Sequence, residues 1–132
     1  MIMKMIQMTL FVADQQEAKQ FYVNQLGFTI INEQQFSSDW SYVTVSPYKD
    51  NQTVIELLKA ETEEQITLIG KQAGDQVLLM FETDDIEADY AKLKAKGITF
   101  HSEPQKVPGG WGVGFSDLYG NKLDLFQPEK EG

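Results

Sequence analysis

The chain of 132 residues contains no cysteine, no arginine and a single histidine. Without cysteine it can form neither disulfides nor thiolate nucleophiles, and we expect a cytoplasmic location. Without arginine it lacks the usual bidentate clamp for phosphate and carboxylate groups, so a strongly anionic ligand is disfavoured, although lysine can still act as a point charge. With one histidine and no cysteine, nucleophilic catalysis of the usual kinds has little support.

Two further absences concern partners. No stretch approaches the roughly 18 consecutive apolar residues of a membrane span, so no membrane contact is expected. The apolar start, MIMKMIQMTLF, is interrupted by Gln7 and lacks a small-residue cleavage site, which predicts a strand and not a signal peptide. The net charge of −9 argues against a nucleic-acid partner. It is compatible with a cationic or neutral ligand, or with a role in solubility alone.

The remaining composition is that of an ordinary globular protein, with 42% hydrophobic and 23% charged residues. The length suits one well-cored domain, and we predict a single domain over residues 1–132. Within it we distinguish module one (about 1–60), a polar connector (about 61–75) and module two (about 76–128).

Each module begins with an apolar strand that leads through an aspartate into a helix. Asp14 is the predicted N-cap of the first helix, and Gly27 ends that helix. In module two, Asp84 or Asp85 caps the helix and Gly97 ends it. The predicted strands cover residues 5–12, 28–36, 40–46 and 53–59 in module one and 76–83, 98–102, 111–117 and 122–128 in module two, with a short helix around 63–69 and a loop over 102–110.

The order of one strand, one helix and three strands therefore occurs twice. When Asp14 is aligned with Asp85, Gln7 lies opposite Leu78. Two copies of a five-element unit predict an α+β fold, with two βαβββ modules forming a curved mixed sheet around a central cleft. A cleft of this kind is a natural site for a small molecule.

Several short motifs connect this pattern with a known family. The first half of the sequence resembles the opening module of the vicinal oxygen chelate superfamily, with V-A-D at 12–14, F-Y at 21–22 and L-G-F at 26–28. That superfamily includes glyoxalase I, bleomycin-resistance proteins, fosfomycin-resistance enzymes and extradiol dioxygenases. The stretch from Phe81 to Pro128 resembles its second module, with Leu118 where the family often has proline. The segment WSYVTVSPYKDNQTVIELL also resembles a small bacterial, glyoxalase-like branch that has no assigned substrate.

The resemblance implies where a metal site would lie. In metal-dependent members the ligands come from the first and the last strand of each module, and the matching positions here are Gln7, Glu56, Leu78 and Asp124. Because leucine cannot bind a metal, the set is incomplete and no cofactor is favoured. If a divalent metal binds, the oxygen donors of Gln7, Glu56 and Asp124 suit Mg²⁺ or Mn²⁺ before Zn²⁺ or Ni²⁺.

Glu56 is the candidate catalytic residue. It lies in an apolar strand, so its carboxylate either faces solvent by alternation or is buried with a partner, and the resemblance favours a position in the cavity. Asp124, between two leucines, has the same two alternatives. We predict a ligand-binding cleft lined by Gln7, Thr9, Trp40, Tyr42, Glu56, Leu78, Trp111 and Asp124.

Two other features have simpler interpretations. His101, the only histidine, matches no ligand position of the family, and we expect it to be solvated or packed against a loop. The segment 105–112, which contains Pro108 and Gly109, is either a mobile cover over a site or a hairpin connection.

Two functions of different classes follow from these observations. The first is a small-molecule binder of the bleomycin-resistance kind without a complete metal site. The alternative is a divalent-metal-dependent lyase, isomerase or dioxygenase-like enzyme that uses Gln7, Glu56 and Asp124. The resemblance also implies a homodimer.

Overall fold

Two sheets of the same topology account for the repeat in the sequence. In the computed structural model, which describes residues 1–130, the chain divides into unit 1, which ends at Gly70, and unit 2, which begins at Lys71. Each unit contains a mixed sheet whose first strand is followed by a helix. The predicted α+β class and its duplicated βαβββ pattern are therefore confirmed.

The sheet of unit 1 has the order β1-β4-β3-β2. Strand β1 runs parallel to β4, and the other neighbours are antiparallel. Helix α1 continues directly into one π-helical turn, Phe21–Gln25, in which the adjacent Phe21 and Tyr22 are both buried. The elements are β1 (Gln7–Val12), α1 (Gln15–Gln20), β2 (Thr29–Gln35), β3 (Ser41–Ser46), β4 (Val54–Lys59) and α2 (Glu63–Thr67).

The sheet of unit 2 repeats this arrangement in the order β5-β9-β8-β6, with β5 parallel to β9. Its one additional strand is β7, which pairs with β8 only. The elements are β5 (Val77–Glu82), α3 (Ile86–Ala95), β6 (Thr99–Phe100), β7 (Gln105–Val107), β8 (Gly110–Ser116) and β9 (Lys122–Pro128).

The segment predicted as a loop over 102–110 therefore contains a strand. Gln105 pairs with Gly112 and Val107 with Gly110, so β7 and β8 form a tight hairpin. Gly109 has a φ of 86°, which glycine adopts without the strain that a side chain would add. Of the two interpretations of this segment, a mobile cover or a hairpin connection, the structure supports the hairpin connection.

Alternation along the strands decides which face of each sheet is buried. In unit 1, Leu10, Val12, Ile55 and Leu57 are buried on the face that α1 covers. In unit 2, the same face carries the buried side chains of Val113, Phe115, Leu123 and Leu125, with Ile86 and Leu93 of α3 also in the core. The opposite face of each sheet, which carries the polar candidate residues, is not covered by the helix of its own unit.

The helix starts follow the predicted caps. The carboxylate of Asp14 accepts a hydrogen bond from the backbone N–H of Glu17, and that of Asp85 accepts one from Ala88. Of the two candidates in module two, Asp85 is therefore the cap. None of the helices within residues 1–130 is both long and apolar enough to span a membrane.

We expect Asp85→Ala to lower the free energy of unfolding by about 1 kcal/mol, because the backbone N–H of Ala88 loses its capping acceptor. Urea denaturation measures the change. The matched control is Asp84→Ala, which removes an exposed carboxylate one position earlier without removing the cap. Equal losses of stability in the two variants would contradict the assignment.

Candidate functional site

In unit 1, three predicted residues form one hydrogen-bonded chain on the open face of the sheet. The Tyr42 hydroxyl donates to Oε1 of Gln7, and Nε2 of Gln7 donates to Oε1 of Glu56 over 3.0 Å. Thr9 is the partner of Glu56 in the parallel register of β1 and β4. The structure thus brings Gln7, Thr9, Tyr42 and Glu56 together, and Glu56 is partly buried with a partner.

The environment of Glu56 raises the pKa of its carboxyl above the ordinary value, because burial disfavours the charged form and the hydrogen bond from Gln7 offsets this only in part. An ionised carboxylate only accepts hydrogen bonds, so the amide of Gln7 must present its nitrogen to Glu56. Its oxygen consequently faces Tyr42, which donates to it.

Trp40, also predicted to line the cleft, lies at the connection between β2 and β3. Its side chain is 53% exposed and stacks on Phe36, with 4.5 Å between ring centroids. It lines a small cavity of about 180 Å³ together with Gln15 and Gln65. Neither Gln7 nor Glu56 belongs to that lining.

In unit 2, a row of four residues crosses the open face of the sheet. Asp124 pairs with Gly114 on one side and with Met80 on the other. On the far side of Gly114, the backbone N–H of His101 donates to the Gly114 carbonyl over 2.9 Å. The row His101–Gly114–Asp124–Met80 is the counterpart in unit 2 of the row Asn32–Thr44–Glu56–Thr9 in unit 1.

A cavity of about 480 Å³ lies on this face of unit 2. Its polar lining is limited to a few groups, among them the carboxyl of Asp124, and most of its wall is apolar. It is lined by Met80, Ser102, Gln105, Val107, Pro108, Gly112, Val113, Gly114, Asp124, Leu125 and Phe126. This size and composition are typical of small-molecule sites, which occupy roughly 300 to 1,000 Å³.

The floor of the cavity is bare because β8 carries glycine at every second position, in the sequence GWGVG. Residues two apart in a strand point to the same face, so Gly112 and Gly114, which both line the cavity, leave a strip of backbone without side chains. A Cβ atom at Gly114 would lie 3.3 Å from Oδ1 of Asp124 and 3.4 Å from Nδ1 of His101. Both polar groups therefore border the space above this glycine.

Asp124 and His101 also interact electrostatically. Burial raises the pKa of the Asp124 carboxyl, and the nearby His101 lowers it by a smaller amount, so the net direction is upward. Nε2 of His101 is 2.7 Å from Oγ of Ser116, which orients the ring. The sequence interpretation assigned His101 no site, because only the pairing of β6 with β8 shows that it faces Asp124 across a glycine. The alternating glycines of β8 were the available signal.

The two remaining predicted cleft residues lie outside the cavity lining. Leu78 is at an irregularity in the register of β5, between Val77 and Leu79. Trp111 alternates with Gly110 and Gly112, so it belongs to the other face of β8, where it is 41% exposed.

The raised pKa of Asp124 has a consequence for stability. Its carboxyl binds a proton more tightly in the folded chain than in the unfolded one, so it makes the free energy of unfolding fall as the pH rises above the ordinary value of 3.8. We expect Asp124→Asn to reduce the fall in Tm that accompanies a rise in pH above about 4. Thermal unfolding across this range measures the slope, and Asp84→Asn, at an exposed position, is the control. A slope that Asp124→Asn leaves unchanged would contradict the burial argument.

Comparisons with known proteins identify the family. The family model of the glyoxalase/bleomycin resistance protein/dioxygenase superfamily matches residues 4–125, and the chain belongs to this superfamily. A protein of Shewanella frigidimarina is 41% identical over 123 residues, which cover 92% of this chain and 91% of that protein. YurT of Bacillus subtilis is 35% identical over 129 residues, with 95% and 99% covered.

Solved structures show the same fold. UcmS2 is 28% identical with a TM-score of 0.83, and the match covers 96% of this chain and 98% of that one. TnmS3, described as an antibiotic binding protein from Streptomyces sp. CB03234, is 30% identical with a TM-score of 0.79, covering 97% and 98%.

The metal ligands that the resemblance implies do not fit a cation in the arrangement of unit 1. The only metal-binding atom of Gln7 is its amide oxygen, which faces Tyr42, while its nitrogen faces Glu56. A cation held by both side chains would require the amide to turn over and the hydrogen bond from Tyr42 to break. Leu78, at the equivalent first strand of unit 2, has no donor atom.

Proposed function

We propose that unit 2 binds a small organic molecule in the cavity above β8, and that the chain acts by binding and not by catalysis. The observation that carries this proposal is the bare glycine strip with one half-buried carboxyl beside it. A strip of backbone lets a flat molecule approach the sheet closely, while the apolar wall favours its burial.

The apolar wall has the side chains that such a ligand needs. Met80 is 61% exposed although it is a large apolar residue, and it stands at one end of the row. Val107 and Pro108 come from the hairpin of β7 and β8, and Phe126 comes from β9. Methionine and aromatic side chains adapt well to flat apolar molecules. That the similar TnmS3 is described as antibiotic binding supports a binding function for this chain as well.

Ligand-observed NMR with a panel of soluble two- and three-ring aromatic compounds tests the proposal. We expect saturation-transfer signals for part of the panel in the wild type and their loss in Gly114→Val, which fills the strip. Signals that persist in Gly114→Val at unchanged intensity would place the binding elsewhere and contradict the proposal.

The alternative function, a divalent-metal-dependent lyase, isomerase or dioxygenase-like activity, has one observation in its favour. The raised pKa of Glu56 is the direction that a general base near neutral pH requires. Calorimetric titration with Mg²⁺, Mn²⁺, Ni²⁺ and Zn²⁺ distinguishes the two. For the binding function we expect no stoichiometric uptake at millimolar concentrations, whereas stoichiometric binding that Glu56→Ala abolishes would contradict the metal-free binding function.

We also propose that the chain forms a homodimer. The first six residues expose the large apolar side chains of Met1, Ile2, Met3, Met5 and Ile6, and burying such side chains against a second copy would be favourable. Analytical ultracentrifugation measures the mass, and a monomer at micromolar concentration would contradict the proposal.

A further inference from the structure

Equivalent carboxyl groups have different hydrogen-bond environments in the two units. Glu56 in unit 1 lies between Thr9 and Thr44 in the sheet register, and Asp124 in unit 2 lies between Met80 and Gly114. The same position of the duplicated sheet therefore carries an acidic side chain on the open face of both units.

In unit 1 the carboxylate has a partner within the chain. Gln7 donates a hydrogen bond to Glu56, and Thr44 is engaged with Asn32, whose Oδ1 accepts from the Thr44 hydroxyl over 2.8 Å. The carboxylate of Glu56 therefore has a hydrogen-bond donor within unit 1.

In unit 2 the corresponding donors have been replaced. Met80 and Gly114 cannot donate from a side chain, and Leu78 stands where Gln7 stands in unit 1. As a result, the carboxylate of Asp124 has no hydrogen-bond partner among residues 1–130, although it is half-buried. A carboxylate in such a setting costs free energy unless a donor reaches it.

His101 supplies a second acceptor at the same place in the neutral tautomer that carries its proton on Nε2. When Nε2–H donates to Ser116, the other ring nitrogen carries a lone pair, and this Nδ1 has no partner among the described residues 1–130. Nδ1 of His101 and Oδ1 of Asp124 lie within 3.4 Å of the same point above Gly114. One group with two N–H donors placed at that point would reach both.

From this arrangement we infer that the ligand is a flat apolar amine, cationic at neutral pH, whose N–H groups donate to Asp124 and His101 above Gly114 while its ring system occupies the cavity. The inference rests on the proposed binding function and adds the chemical class of the ligand. None of the described residues that line the cavity is a lysine, and the net charge of −9 attracts cations over anions.

Fluorescence titration with two tricyclic probes of nearly the same shape tests the inference. Proflavine is a flat aromatic cation with amino groups, and acridone is its neutral counterpart. We expect proflavine to bind more tightly than acridone. Asp124→Asn should weaken proflavine binding by about 10- to 100-fold, the value of one charge-assisted hydrogen bond, and leave acridone binding nearly unchanged.

Further variants make the result specific. His101→Phe should weaken proflavine binding several-fold, whereas Asp84→Asn, which removes an exposed negative charge of unit 2, should not.

If proflavine and acridone bind equally and Asp124→Asn affects neither, the ligand class is wrong while the cavity still binds. If Glu56→Gln, and not Asp124→Asn, removes proflavine binding, the carboxylate has been assigned to the wrong unit. If both probes bind Gly114→Val as well as the wild type, or bind neither protein, the proposed function fails together with the inference.

Discussion

Gly110→Ala is expected to lower the free energy of unfolding by about 3 kcal/mol, which corresponds to a fall in Tm of about 10 °C for a chain of this length. A Cβ atom at this position would lie 2.0 Å from the carbonyl oxygen of Gln127 and 3.0 Å from the Cα of Pro128. Both are backbone atoms of β9, to which Gly110 is paired, so neither can rotate away. The two strands would have to separate at this point.

The same strand provides a matched control. Gly112→Ala makes the same chemical change two residues further on, where the new Cβ would meet the Val107 side chain at 3.5 Å, an ordinary contact. We expect Gly112→Ala to change the stability by no more than about 0.5 kcal/mol, since alanine also reduces the entropy of the unfolded chain. Calorimetry of both variants measures the difference, and equal stabilities would contradict the close approach of β8 and β9.

Gly114→Val is expected to weaken binding of any ligand of the cavity by at least about 100-fold, or about 2.7 kcal/mol. Its Cβ atom would occupy the point between Asp124 and His101, and its two methyl groups would cover the floor above β8. Gly114 has no positive φ, and valine is favoured in strands, so the fold should remain intact. A loss of binding at preserved Tm is therefore the expected combination.

Two measurements keep this prediction separate from general damage. Thermal unfolding should give a Tm for Gly114→Val close to that of the wild type, because the strand preference of valine offsets the small shifts that Asp124 and His101 must make at 3.3 and 3.4 Å from the new Cβ. Gln35→Val, at an exposed position of β2 in unit 1, introduces the same side chain away from the cavity and should leave the affinity unchanged. Wild-type affinity in Gly114→Val would show that the strip above β8 is not the floor of the ligand site.

Much of the fold was predictable because its signals are local. Alternation in β1, β3 and β4 identifies strands, and Asp14 and Asp85 cap helices through contacts three residues away. Gly27 and Gly97 end their helices with positive φ angles of 82° and 90°. The duplication was visible because both units use these same signals in the same order.

The features that escaped prediction depend on contacts distant in sequence. Strand β7 exists because it pairs with β8, and its own three residues carry no alternating apolar pattern. The π-helical turn that buries both Phe21 and Tyr22 also depends on packing against the core and not on helix propensity.

The candidate site likewise has some features that were predictable from the sequence and others that were not. The sequence and the family resemblance together identified Glu56 and Asp124 as candidate carboxyl groups. They also identified Leu78 as a position that lacks a polar side chain. Strand pairing alone revealed that His101 faces Asp124 across Gly114, because the three residues are brought together by hydrogen bonds between strands that are apart in the sequence.

The sequence by itself determined the duplicated α+β pattern, the helix caps and the acidic character, because these depend on neighbouring residues and on composition. Only the tertiary structure decided that Gln7, itself held by Tyr42, donates to Glu56, while among residues 1–130 no donor reaches Asp124 beside a strip of glycines. The reason is physical: the partners of a half-buried carboxylate are set by sheet register, and register joins residues that the linear sequence keeps apart.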